Sequence, residues 1–169
     1  KDGEDGVAQS YFEYLRIPYT HSGVIASYNA MNKIISKKLF SKNKILTPKF
    51  FSLHSNDKKS SSFSRLLKTK KINFPLVIKP INEGSSLGVN IVKNIEELKK
   101  SAKILFRKYH QLMFEQYIGG QEIQVAVLNN TSLGAIELIP KRTFYDYKAK
   151  YTKSANTKHV MPAKLNKVN

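Results

Sequence analysis

FPLVIKPINEGSSLGVNIV, residues 74–92, holds the strongest pattern in the chain. Its apolar run Leu76-Val77-Ile78 predicts a buried strand of parallel or core type. The run ends at Lys79-Pro80 and passes into a small-residue loop, Glu83-Gly84-Ser85-Ser86-Leu87-Gly88. A second apolar run, Val89 to Val92, follows at once. A cation closing a strand beside glycines and hydroxyls suits a polyphosphate. Glycines let backbone N–H groups approach the anion, serines add donors and lysine supplies a point charge. The loop lacks Gly-Lys-Ser/Thr and joins strand to strand, so it is neither a Walker A loop nor a dinucleotide fingerprint. An ordinary hairpin connection competes for the same residues.

Composition narrows the rest. The 169 residues suffice for one domain or parts of two. Hydrophobic residues make up 41% and charged ones 24%, as in an ordinary globular protein. No apolar run approaches the ~18 residues of a membrane helix, so no membrane partner is expected. The polar opening KDGEDG is not a signal peptide. Absence of cysteine excludes disulfides and thiolate metal sites and fits a cytoplasmic protein. The net charge of +17 invites nucleic acid, but the lysines are spread along the chain, without an RNP, KH or zinc-finger pattern. No nucleic-acid partner is expected; a basic cleft for a nucleotide needs only a few of these cations.

The element order mixes helices with strand pairs, an α/β or α+β pattern. Val7, Tyr11, Tyr14 and Leu15 mark one helical face, and Pro18 pushes Ile17 to Thr20 into an extended piece. Ser27 is placed to cap a helix over about 28–40, with Met31, Ile34, Ile35 and Leu39 inward. A strand over 49–53, a polar loop over 55–62 and a short helix over 63–70 follow. Asn94-Ile95-Glu96-Glu97 predicts a capping box opening a helix to about 108, with Ile95, Leu98, Ala102, Leu105 and Phe106 inward. Residues 112–118 predict a strand. The alternation of Ile123, Val125 and Val127 predicts another, and Asn129-Asn130 a hairpin turn returning along 133–139. Residues 140–169 show little periodicity.

Four separated stretches together resemble the D-alanine–D-alanine ligase family of the ATP-grasp superfamily. They are GEDG (residues 3–6) with its following helix, IPYTHSGVIASYNAMNK (17–33), VIKPINEGSSLGV (77–89) and TFYDYKAKY (143–151). The resemblance covers essentially the whole chain and keeps the family's order. It implies a partial ATP-grasp fold. Residues 1–32 would end a Rossmann-like N-terminal substrate domain, 33–120 form the central ATP-grasp domain, and 121–169 begin the C-terminal ATP-grasp domain with its lid loop. The implied reaction joins two D-alanines with ATP through an acyl phosphate, for peptidoglycan and hence cell-wall biogenesis and cell shape. It needs clustered cations and donors for the anions, and a lid against water.

The resemblance also assigns residues. Lys79 and Lys33 resemble the family's phosphate-contacting lysines. Glu83, Ser85 and Ser86 resemble the loop over the phosphates, with Ser85 orienting substrate. Glu115, Gln116, Tyr117 and Ile118 resemble the extended linker whose backbone reads adenine. Glu122 resembles the acid on the ribose hydroxyls. In the lid, Phe144 would pack near the nucleotide, Lys150 reach the phosphates and Tyr151 close over the substrate near Ser85. Tyr151 favours the dipeptide product. Glu4 resembles an acid near the amino-acid site, without an assigned role. His21, His54, His110 and His159 are scattered and match no ligand set, which leaves them ordinary surface or packing residues.

This sequence departs from the family pattern in places. Asn32 stands where aspartate is usual and Asn82 where a base is frequent. No family magnesium ligand falls within the chain, so Mg2+ or Mn2+ would be held elsewhere in the intact enzyme, which the resemblance makes a homodimer. The chain thus reads as an internal piece of a longer enzyme, expected to be inactive alone. The alternatives are a D-alanine–D-lactate or D-alanine–D-serine ligase, or a non-catalytic nucleotide or nucleic-acid binding module.

Overall fold

The computed structural model describes residues 3–57, 62–140 and 157–165. The chain divides into two compact units, Lys1–Tyr117 and Ile118–Asn169.

The first unit holds helices α1 (Val7–Tyr14), α2 (Val24–Met31), α3 (Lys33–Lys42), α4 (Phe63–Lys70) and α5 (Ile95–Phe106). It also holds strands β1 (Phe50–His54), β2 (Leu76–Pro80), β3 (Asn90–Val92) and β4 (Gln111–Gln116). The strands form one sheet in the order β1-β4-β2-β3. Every pairing is antiparallel, so the parallel option for Leu76 to Ile78 is corrected. Burial alternates along β2: Leu76 and Ile78 are fully buried, Val77 and Lys79 only partly. The apolar run concealed this because valine serves on either face of a strand. Leu76, Ile78, Leu112 and Phe114 face one side and meet Phe63 and Leu67 of α4 and Leu98, Ala102 and Leu105 of α5. Phe51 and Phe114 stack at 4.9 Å between ring centroids. The opposite face carries Lys79 and Glu115.

Asn94 caps α5 where expected, but the return bond from Glu97 goes to the residue before the cap rather than to the Asn94 N–H. Asn94 Oδ1 accepts from Glu97 N at 2.9 Å, while the Glu97 carboxylate accepts from Lys93 N at 2.8 Å.

The single helix expected over 28–40 is two. Asn32 adopts φ −84°, ψ 103°, ends α2, and accepts from Ile34 N and Ile35 N at 3.1 Å each to start α3. A short amide side chain that satisfies nearby backbone donors competes with helix continuation. Ser27 lies inside α2 and donates to Ser22 O instead of capping. Leu39 is exposed and Lys37 is buried, the reverse of the apolar-face expectation.

Helix α1 is also inverted. Val7, Tyr11, Tyr14 and Leu15 are exposed and Gln9 is buried, its amide donating to Gly3 O. The entry to α1 packs against α2. Gly6, at φ +94°, lies so close to α2 that a Cβ would stand 2.6 Å from Val24 O.

The second unit is an antiparallel sheet, β5-β6-β7, of β5 (Glu122–Leu128), β6 (Thr131–Ile139) and β7 (Lys158–Val160). Asn129 and Asn130, at φ 48° and 63°, make the expected tight hairpin. Val125 and Val127 flank a bulge and are exposed. Strand β7 went unread because three residues are too few to show a period.

Candidate functional site

The site in the first unit is built where β2 meets the loop after it. Lys79 is the penultimate residue of β2, opposite Met113 of β4, and its ammonium pairs with Glu115 Oε1. Glu115 Oε2 is held by Lys37 Nζ at 2.7 Å. Lys37 Nζ also donates to Thr47 Oγ1 at 2.7 Å and Pro48 O at 2.9 Å, and lies 4.8 Å from the Phe50 ring centroid. One buried carboxylate therefore holds two cations.

Lys33, the first residue of α3, reaches the loop from the other side. Its Nζ donates to Glu83 O at 2.5 Å and Ile81 O at 3.2 Å, and its backbone N–H to Ile81 O at 3.3 Å. Burial, and secondly the Lys79 cation, push the Lys33 ammonium from the ordinary 10.5 down to about 8, against the opposing pull of Glu83 and Glu115.

The loop itself is a type I′ turn. Ser85 and Ser86 sit at φ 50° and 60°, and Leu87 N donates to Gly84 O at 3.0 Å. Two successive non-glycine residues in this region store strain of about 1–2 kcal/mol each, of the kind that gathers at ligand clamps. Gly88, at φ +69°, lets the loop fold back onto β2; a Cβ there would stand 2.8 Å from Pro80 Cγ and 3.2 Å from Tyr109 Cε2. The Glu4 carboxylate also reaches this loop, since a Cβ on Gly84 would lie 3.0 Å from Glu4 Oε2.

Lys33, Lys79, Glu83, Ser85, Ser86 and Glu115 thus gather at one end of the sheet. Gln116 and Tyr117 follow directly. Gln116 Oε1 accepts from Asn73 N at 2.9 Å, and Tyr117 N donates to Pro75 O at 3.2 Å, fixing this stretch as extended chain. Glu115 contributes more than backbone: its side chain is buried and ion-paired. Ile118 and Glu122 are exposed residues of the second unit. Phe144, Lys150 and Tyr151 lie outside the described residues. His54 and His110, far apart in sequence, line one cleft of about 340 Å³ with Glu83, Lys108 and Tyr109. Among the described residues no group of three His, Asp or Glu could hold a metal ion.

Sequence reasoning missed Lys37. The available signal was its spacing, one helical turn beyond Lys33 and so on the same face.

A lysine-closed strand, a folded-back serine loop and a second antiparallel sheet define the class, part of an ATP-grasp fold. The profile of the D-ala D-ala ligase C-terminus family matches residues 39–169. The D-alanine–D-alanine ligase of Pelagibacter ubique is 53% identical over 173 residues, covering 99% of this chain and 54% of the relative. The D-alanine–D-alanine ligase of Bacillus anthracis complexed with ATP superposes with a TM-score of 0.77 at 30% identity, covering 98% of this chain and 50% of that one. The D-Ala:D-Ser ligase of Enterococcus faecalis superposes with a TM-score of 0.81 at 29% identity, covering 99% and 48%. The chain belongs to the D-alanine–D-alanine ligase family. It spans about half the length of the curated relatives it matches.

Proposed function

We propose that this chain supplies the nucleotide-phosphate cradle of an ATP-dependent ligase that joins two D-alanines for peptidoglycan. The observation that carries this is electrostatic. Among the described residues Lys33, Lys37 and Lys79 gather around the Glu115 carboxylate and the Glu83 backbone beside a strained serine turn, and burial disfavours the Lys33 charge. Such a cluster is costly when empty and suits an anion. The ATP complex of the Bacillus anthracis relative supports ATP as that anion.

In the proposed reaction a D-alanine carboxylate oxygen attacks the γ-phosphorus and ADP leaves. The second D-alanine's amino group attacks the acyl phosphate carbon. A tetrahedral intermediate then loses phosphate and a proton to give D-alanyl-D-alanine. Lys33 and Lys79 bind the phosphates, and the Glu83–Ser86 turn folds over them. Ser85 orients the substrate carboxylate. The backbone of Glu115, Gln116, Tyr117 and Ile118 lines the adenine, and Glu122 takes the ribose hydroxyls. Phe144, Lys150 and Tyr151 keep the lid roles implied by the resemblance. A divalent ion, Mg2+ or Mn2+, would neutralise phosphate charge when bound.

Residues 1–32, 33–120 and 121–169 would then belong to the substrate, central and C-terminal domains of a cytoplasmic homodimer. The chain alone is expected to bind nucleotide without completing ligation, since it spans half of its relatives.

Calorimetric titration with ATP tests the cradle. Lys79→Ala and Lys33→Ala should each weaken binding by about 10- to 150-fold, the worth of one charge-assisted hydrogen bond. Unchanged affinity in both would remove the proposal. With ATP, Mg2+ and D-alanine, phosphate release should stay at background. Salt-dependent DNA retention on a filter would favour a nucleic-acid module instead.

A further inference from the structure

We propose that Lys37 is a positioning residue, anchoring Glu115 so that the same carboxylate presents its other oxygen to Lys79 and fixes the phosphate-facing ammonium. The inference rests on the nucleotide-binding proposal above and adds a residue that it does not contain.

Lys37 is only 6% exposed, an environment that lysine almost never occupies without a structural reason. An ammonium has three N–H donors. Lys37 directs them to Glu115 Oε2, Thr47 Oγ1 and Pro48 O, at 2.7, 2.7 and 2.9 Å. All three are committed to protein, so Lys37 acts on a ligand only through another group. That group is Glu115, whose second oxygen meets Lys79. Helix α3, the Thr47-Pro48 segment before β1 and strand β4 are thereby tied at one atom.

Stability does not account for the arrangement. A buried ion pair rarely returns more than the desolvation of its charges costs, and a packed apolar substitute serves as well. Orientation does account for it. With Oε2 pinned, the Glu115 carboxylate has one rotational setting, and its shared charge leaves Lys79 only partly neutralised. Without Lys37 the whole carboxylate charge falls to Lys79 and competes with phosphate for it.

The test is an equilibrium titration of the full chain with ATP and, separately, with adenosine. Lys37→Met should weaken ATP binding by about tenfold or more, yet adenosine binding by less than about threefold. Lys38→Met removes the same charge from an exposed neighbour on α3 and should leave both unchanged. In a Glu115→Gln background, adding Lys37→Met should change ATP affinity by less than about twofold, because the effect passes through Glu115.

Equal losses for ATP and adenosine, an undiminished loss in the Glu115→Gln background, or no loss at all would overturn the inference while leaving the cradle standing. If the wild-type chain binds no ATP, the cradle itself fails and the inference falls with it. Should Lys37→Met alone fail to fold, the Lys37→Met/Glu115→Gln pair, which removes both charges, decides the matter against Glu115→Gln.

Discussion

Raising pH should move folding and ligand affinity in opposite directions, and Lys33 is the cause. Its ammonium titrates at about 8 in the folded chain against 10.5 ordinarily. The folded state disfavours the charged form, so its cost is fully present below pH 8. As pH rises towards 10.5 the unfolded chain keeps its proton longer, and stability increases. The gap corresponds to about 3.4 kcal/mol at 1.36 kcal/mol per pH unit. Lys33 is only partly buried, and solvent screening reduces that to about 1–2 kcal/mol. The ligand sees the other side of the same equilibrium. Lys33 passes from about nine-tenths charged at pH 7 to about one-tenth at pH 9. ATP affinity should therefore fall by several-fold over this range. Urea denaturation and ATP titration at pH 7.5, 8.5 and 9.5, each compared with Lys33→Met, measure the two effects. Both pH trends should be larger in the wild type than in the variant. Parallel trends in the two proteins would refute the burial argument.

Other perturbations reach the same loop. Gly88→Ala forces a side chain into a left-handed backbone position and against Pro80 Cγ at 2.8 Å; a stability loss of about 2–3 kcal/mol is expected by urea denaturation. Replacing Ser85 or Ser86 by Gly should relieve about 1 kcal/mol of backbone strain each while weakening ATP binding, so stability and affinity should separate. Asn32→Ala removes the cap that opens α3 and should cost about 1 kcal/mol, read from the thermal midpoint.

Local chemistry was legible in the sequence wherever it decides the structure. The strand–loop–strand of residues 74–92, the Asn94 cap and the Asn129-Asn130 hairpin each depend on neighbours within a few positions. The helix face of α1 and α3 was not legible, because packing between elements selects which side is covered. Asn32 carried a capping signal that a longer apolar period hid. The left-handed pair Ser85-Ser86 was unreadable, since serine has no marked preference for that region and the surrounding fold imposes it. At the site, Lys79 and the serine loop stood out by position, and Lys33 only through the family resemblance. The burial of Lys37 did not, because charged residues are ordinarily solvated and Glu115 is distant in sequence. Phe144, Lys150 and Tyr151, which the resemblance assigns to a lid, lie outside the described residues.

Two of the three Lys33 ammonium protons point at Glu83 O and Ile81 O. A lysine is normally a spherical charge that greets an oxygen from any side. Tethered this way, Lys33 can offer its remaining proton along a single bearing. A ligand oxygen must then approach along that bearing to meet it.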